Sequence, residues 1–255
     1  MGQPLFLRFG ILTPVSDHVP NTIIDRLVAK LGDSSREAVT RLFSVLSTSF
    51  LQESSPDSLL AYARAAVDVP DKIPCLVEVV ENDDRHVTVT IVAPDYPAEF
   101  AAITGLLSAS GLDIQSGQVH TTAGPAPGKL SYRDVRRMRA LKKSTGERRS
   151  LIIDRFTGIV STGEDIAVWA GKLKERLATI TRVYLKERPR GEGTAEVKRM
   201  VAEEVSEALT RGEDSGAALL MPVEIEIASA GEGKTAVTVG AEDTPFFLYA
   251  VSTAL

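Results

Sequence analysis

Along residues 86–122 the hydrophobic period of the chain changes twice. Val87, Val89 and Ile91 alternate with His86, Thr88 and Thr90, the period of a strand with one buried face, and the run stops at Ala93-Pro94-Asp95-Tyr96-Pro97. Beyond Pro97 the period is helical, with Phe100, Ile103, Leu106 and Leu107 on one face, and Ser110-Gly111 marks the exit. A second strand follows through Leu112, Ile114 and Val119. The expected order is strand, helix, strand. At the turn, Asp95 is placed to cap the helix and Pro97 stands where no amide hydrogen is needed. That leaves the amides of Ala98 and Glu99 facing outward at the positive end of the helix dipole, a setting that suits a small carboxylate. The plainer reading is a well-capped helix and nothing more.

The same patterns organise the rest. Residues 1–70 read as a helical segment. Asn21 opens a helix carrying Ile23, Ile24, Leu27 and Leu31, which Gly32 closes. Ser34 or Ser35 opens a second with Val39, Leu42, Phe43, Leu46 and Phe50 inward, and Ser55-Pro56-Asp57 a third with Leu59, Leu60, Ala63 and Val67, ended by Pro70. Leu151 to Val160 reads as a buried strand, and Ile166, Trp169, Leu173, Leu177 and Ile180 as the face of the helix after it.

A repeat supplies the domain organisation. Pro74 to Leu107 aligns without a gap on Pro222 to Leu255, matching Pro74/Pro222, Glu78/Glu226, Val89/Val237, Thr90/Thr238, Ala93/Ala241, Asp95/Asp243, Pro97/Pro245, Ala102/Ala250 and Leu107/Leu255. Two copies at this spacing are two modules rather than the short units of a solenoid. The boundaries are a helical segment at 1–70, a first module at 74–185 interrupted by an insertion at 123–149, a linker and helix at 186–216, and the start of a second module at 222–255. The linker helix turns Val197, Met200, Val201, Val205 and Leu209 inward, and the run PVEIEI is a candidate for the first module's fourth strand. By the repeat, the second module breaks off inside its first helix, so the chain is expected to be a fragment with residues 241–255 loosely packed.

Composition bounds function more than fold. With 255 residues, 44% hydrophobic, 25% charged and a net charge of −5, the chain has ordinary globular content and no general pull toward nucleic acid or anionic membrane. Cys75 is the only cysteine, which excludes an internal disulfide or a multi-cysteine metal site. No apolar run approaches the roughly 20 residues of a membrane span, and the expected location is the cytoplasm. The insertion is basic, with Lys129, Arg133, Arg136, Arg137, Arg139, Lys142, Lys143, Arg148 and Arg149, but lacks the interleaved aromatics of a single-strand binder. Ala228 to Thr235 (ASAGEGKT) matches a loose phosphate-binding loop, yet TAVTVG after it alternates as a strand where a helix is needed, so a hairpin is expected. His18, His86 and His120 fall in no metal-ligand spacing, and the latter two are expected at surface or edge positions. No catalytic residue, metal site or cofactor is expected.

The stretch VTIVAPDYPAEFAAITGLLSASGLDIQSGQVHTT resembles the ACT domain, whose first strand leads through an Asp-x-Pro-Gly turn into a helix and then a "Gly-Leu-(Asp/Asn)-Ile" second strand. The turn glycine is Ala98 here and Phe246 in the repeat. FLQESSPDSLLAYARAA is similar to the segment preceding the paired ACT domains of bacterial uridylyltransferase/uridylyl-removing enzymes of nitrogen regulation. The resemblance implies an α+β fold: a helical segment, a ferredoxin-like βαββαβ module and the start of another. It implies an amino-acid-sensing regulatory region, with glutamine as the candidate ligand, belonging to a uridylyltransferase-like or adenylyltransferase-like enzyme whose catalytic domain lies outside this chain. The implied ligand site is Asp95, Tyr96, Pro97, Ala98 and Glu99 with Ile114 and Gln115 of a neighbouring module, and Asp243, Pro245 and Phe246 in the second copy. Its partner is another ACT module, in cis or as a homodimer. The alternatives are an interaction or dimerisation module without ligand and, more weakly, nucleic-acid binding through the insertion.

Overall fold

The computed structural model describes residues 5–10, 21–122, 150–188, 191–211, 224–229, 235–241 and 246–254. Its strands are β1 (Leu5–Gly10), β2 (Leu76–Asp83), β3 (His86–Pro94), β4 (Leu112–Thr121), β5 (Leu151–Val160), β6 (Glu224–Ser229) and β7 (Thr235–Ala241). Its α-helices are α1 (Asn21–Leu31), α2 (Arg36–Phe43), α3 (Thr48–Gln52), α4 (Pro56–Asp68), α5 (Glu99–Ala109), α6 (Ile166–Glu187), α7 (Gly193–Arg211) and α8 (Phe247–Ala254). The fold is mixed α+β. The insertion 123–149, Lys234, Asp243 and Pro245 lie outside the described residues.

The central sheet has the order β2-β3-β5-β4, every pair antiparallel. β3 and β4, which flank α5 in sequence, are therefore parallel to each other with β5 between them. β2 reaches the outer edge through a two-residue hairpin, where Asp84 and Arg85 both take positive φ (40° and 65°), as a type I′ turn demands. This edge place corrects the expectation that PVEIEI supplies the fourth strand. β6, which begins with the EIEI of that run, pairs with β7 in a separate sheet of order β1-β7-β6. Ser229 pairs with Thr235 antiparallel, so the residue that ends ASAGEGKT opens a strand and not the helix that a phosphate-binding loop needs.

Both faces of the sheet are covered, by different parts of the chain. On one, Val87, Val89, Ile91, Ile152, Phe156 and Val160 pack with α5, α6, α7 and Leu248 of α8. On the other, Val92, Leu151 and Ile153 meet the layer formed by α1, α2, α3 and α4, through Leu42, Phe43, Phe50, Tyr62 and Ala63. Each fully buried aliphatic side chain contributes about 1.5–3 kcal/mol, so the two cores share the work of holding the sheet.

The expected single helix from Ser35 to Phe50 is two. α2 ends at Phe43, and Ser47 opens α3 by accepting from the Phe50 amide at 3.2 Å. Ser55 caps α4 as expected, accepting from the Ser58 amide at 3.0 Å with Pro56 in the first turn. Residues 1–70 are not wholly helical, since the apolar run at 5–10 is a strand. Nor is the C-terminal helix left unpartnered. Leu248 is buried, Thr104 Oγ1 and Ser252 Oγ stand 3.4 Å apart, and Gly105 of α5 lies where an added Cβ would come within 2.8 Å of Tyr249 and 2.7 Å of Val201. The absent side chain at Gly105 lets α7 and α8 both close on α5. Val197, Val201 and Val205 of α7 are buried as the pattern requires, whereas Leu209 is 54% exposed.

Candidate functional site

The turn from β3 to α5 differs in detail from the sequence reading. α5 begins at Glu99, its N-cap is Ala98, and no side chain caps it, so Asp95 does not. The Asp95 amide donates to Ser150 O at 2.9 Å and the Glu99 amide to Tyr96 O at 3.1 Å. The Glu99 amide is thus already used rather than facing outward. The reason is Ala98: its φ of 65° and ψ of 18° are left-handed, and this folds the chain back onto Tyr96 before the helix starts. Phe246, at the matching place in the repeat, also has φ 65°. Two non-glycine residues hold the conformation for which glycine is the ordinary choice.

That conformation costs a non-glycine residue about 1–2 kcal/mol. Ala98→Gly is therefore expected to raise stability by about 0.5–1 kcal/mol, the gain being trimmed by the freer unfolded chain of glycine. Denaturant unfolding checks this beside Ala102→Gly in the helix interior, which should lose about 1 kcal/mol. If both variants lose stability alike, position 98 is not strained.

Behind the turn lies a buried acidic group. Glu99 and Asp154 are 6% and 0% exposed, and Glu99 Oε1 and both carboxyl oxygens of Asp154 have no hydrogen-bond partner among the described residues. Asp154 sits on β5 between Ile91 and Val119, on the face covered by α5. Burial holds the Glu99 carboxyl well above the usual carboxylate range, and Asp154 and then Asp95 push it further. Burial does the same to Asp154, reinforced by Asp95 and opposed by the nearby His120 backbone. Glu99 also lines a void of about 10 Å³, together with Cys75, Tyr96 and Thr181. Such a space is about one water in size. Tyr96 stacks on Tyr184 with centroids 4.2 Å apart, and burial raises its hydroxyl far above normal. Burial also pushes the Cys75 thiol up to about 11, which leaves it unreactive as a nucleophile at neutral pH.

Of the residues expected to form the site, the structure brings Asp95, Tyr96, Pro97, Ala98 and Glu99 together, with Asp95 and Pro97 exposed and Tyr96 and Glu99 turned inward. Ile114 and Gln115 lie elsewhere. Pro94 pairs with Leu151 at one end of β5, while Ile114 pairs with Gly158 near the other. They can join this turn only from a second module. Phe246 opens α8 against α5 and is half-buried.

The opposite face carries polar residues that sequence reasoning missed. Arg155 is 5% exposed, with its guanidinium 3.6 Å from the centroid of the Phe50 ring. It donates to Ser54 Oγ at 2.6 Å, to Phe50 O and Glu53 Oε2 at 3.3 Å each, and to Thr90 Oγ1 at 3.4 Å. Beside it Glu78 accepts from Ser58 Oγ at 2.8 Å and from the Tyr62 hydroxyl. His120, expected at a surface or edge, is 5% exposed and meets Phe50 edge-on at 5.5 Å. A bulge between Ile114 and Ser116 explains it: one extra residue reverses the alternation, so His120 leaves the face of Leu112 and Ile114 for that of Phe50. Burial and then Arg155 hold its pKa down, against the Val45 carbonyl. The one available signal was FLQESSPDSLLAY itself, in which Phe50, Ser54, Ser58 and Tyr62 recur at helical spacing.

The groove between α6 and α7, of about 450 Å³, is lined by Lys172, Arg176, Arg199, Glu203, Glu204 and Glu207 among others. Its cations are paired in place, Arg199 with Glu196 and Glu203 at 2.7 and 2.5 Å and Arg176 with Glu204 at 3.5 Å. Among the described residues no group of three or more His, Cys, Asp or Glu side chains could hold a metal, and no helix is long and apolar enough to cross a membrane. Comparison with protein-family models, with curated proteins and with solved structures finds no match.

Proposed function

We propose that this chain is a regulatory region built on ACT-like, ferredoxin-like modules, and that the Asp95–Glu99 turn senses an amino acid, with glutamine as the first candidate. The observation that carries this reading is the left-handed residue at the head of both module helices, Ala98 and Phe246, each with φ 65°. A conformation that strains the backbone and recurs in two copies is a feature of the module rather than of either sequence. The sheet order, with β5 between the parallel β3 and β4 and β2 at the remaining edge, supports the reading as a βαββαβ-type module. As a regulatory region it would act on a nucleotidyltransferase-type enzyme encoded outside these residues.

A second reading, an interaction module that binds no small ligand, has its own support. The Glu99 amide is occupied by Tyr96 and so is not free to meet an incoming carboxylate, and the buried groups behind the turn, Glu99 and Asp154, are acids rather than bases. Thermal unfolding with each of the twenty amino acids separates the two. A ligand at a hundred times its dissociation constant adds about 2.7 kcal/mol. For a chain of this size that is roughly 5–10 °C. One or a few responsive amino acids, with the shift reduced in Ala98→Phe, support sensing. No response to any of them leaves the interaction module as the function.

A further inference from the structure

The second sheet repeats three adjacent strands of the first, β2, β3 and β5, and the chain's own beginning supplies its third strand. Leu76 pairs with Val92 in one hairpin and Glu224 with Gly240 in the other, so β6 and β7 stand to each other as β2 and β3 do. β7 then pairs antiparallel with β1 where β3 pairs with β5. Ala93 faces Ile152, and its counterpart Ala241 faces Leu5. Thr90 faces Arg155, and Thr238 faces Arg8; Val89 faces Phe156, and Val237 faces Phe9. LFLRFG at 5–10 thus lies in the register of IIDRFT at 152–157, with an Arg-Phe pair at the same two positions opposite a Thr and a Val. Cross-strand pairs are the unit of sheet stabilisation, and two recurring identically on adjacent positions specify register, because a slip of one residue would exchange the two faces. The likeness ends with the strand. α1 after it packs on α2 and α4, whereas α6 after β5 packs on α5.

We propose that the outer edge of β7 is a strand-acceptor site, specific for an extended segment that sets Arg opposite Thr238 and Phe opposite Val237, and that its occupant is the N-terminal strand Leu5–Gly10 of the same chain. The site takes its ligand by β-augmentation: main-chain hydrogen bonds hold the strand and the Arg-Phe pair fixes its register. The beginning of the chain is thereby a structural part of the C-terminal module, and release of the strand would bare an edge able to pair with another extended segment.

Two experiments on the whole chain test this. In a Cys75→Ser background, Leu7→Cys with Val239→Cys joins register partners, whose Cα separation in an antiparallel pair falls within disulfide range. Leu7→Cys with Val237→Cys is two residues out of register. Mild oxidation should bridge the first pair within one chain at least tenfold more completely than the second. Equal bridging, none, or bridges found only between chains overturns the intrachain assignment. Separately, deleting residues 2–10 should speed amide exchange in 224–229 and 235–241 at least tenfold, and a synthetic peptide of residues 4–11 should restore protection. A peptide with Arg and Phe moved one place toward its N-terminus should bind at least tenfold more weakly. Exchange that the deletion leaves unchanged, or equal binding of the two peptides, overturns the acceptor site.

Discussion

Arg155→Met is expected to lower the free energy of unfolding by about 3 kcal/mol. The variant keeps an apolar stem of similar length and removes only the head group, which lies over Phe50 and donates to Ser54, Phe50 O, Glu53 and Thr90. A desolvated cation–π contact is worth about 2 kcal/mol and a hydrogen bond from a charged donor about 1.5–3 kcal/mol, against which stands the cost of burying the guanidinium. The Glu53 pair adds little, since that carboxylate side chain is 56% exposed and solvent screens it. Because all of these partners except Thr90 belong to α3 and the residues after it, the loss falls on the docking of the helical layer. Arg155→Met, Phe50→Leu and the double variant should show a coupling of at least about 1 kcal/mol in a mutant cycle. Additive effects, or a change under about 0.5 kcal/mol in Arg155→Met, would refute the clasp.

The second large effect concerns Asp154, and it runs the other way. Asp154→Leu should stabilise the protein at pH 8 by about 1–3 kcal/mol, the penalty of a buried polar group left without partners. The gain should shrink toward pH 4. The folded-state pKa of Asp154 lies well above the unfolded value near 3.9, so protonation favours the folded form. Stability from this group is therefore complete below about pH 4 and lost as pH rises through the folded value. His120 has the opposite sign: its pKa is held down, so it removes stability as pH falls below about 6.5. Comparing wild type with Asp154→Leu at each pH cancels the His120 contribution, which both proteins share. Chemical denaturation at pH 5 and pH 8 gives the two differences, and an equal difference at both would mean that Asp154 does not titrate with its neighbours. Glu99→Gln should reproduce the trend, since burial raises it in the same way and Asp154 and Asp95 add to the effect.

These effects mark what local pattern can and cannot convey. The alternation at 86–92, the helical run from Phe100, the buried strand at 151–160 and the long face from Ile166 to Ile180 are all present as elements in the structure. So is the antiparallel pair of β6 and β7, because alternation in the second of them excludes a helix whatever surrounds it. Each of these depends on the spacing of neighbours, which the chain carries with it. The repeat also passed into three dimensions, down to the matched pairing of β2–β3 and β6–β7 and the shared left-handed turn.

Only the tertiary structure decided where charge is buried and which strands meet. Asp154 and Arg155 read locally as a polar interruption of an apolar strand; one faces α5 with no hydrogen-bond partner among the described residues and the other clasps Phe50, and each outcome rests on elements far away in sequence. His120 changed face because one bulge reversed the alternation upstream of it. The candidate turn kept its residues together but lost an expected donor, since the left-handed Ala98 turned the Glu99 amide back onto Tyr96. The apolar run at 5–10 was too short for periodicity to decide, and its strand exists through pairing with β7, more than two hundred residues away. Spacing along the chain fixes helix and strand periods; a buried charge, a sheet edge and a bulge are settled by whatever group happens to lie across the gap, and that group is chosen by the fold.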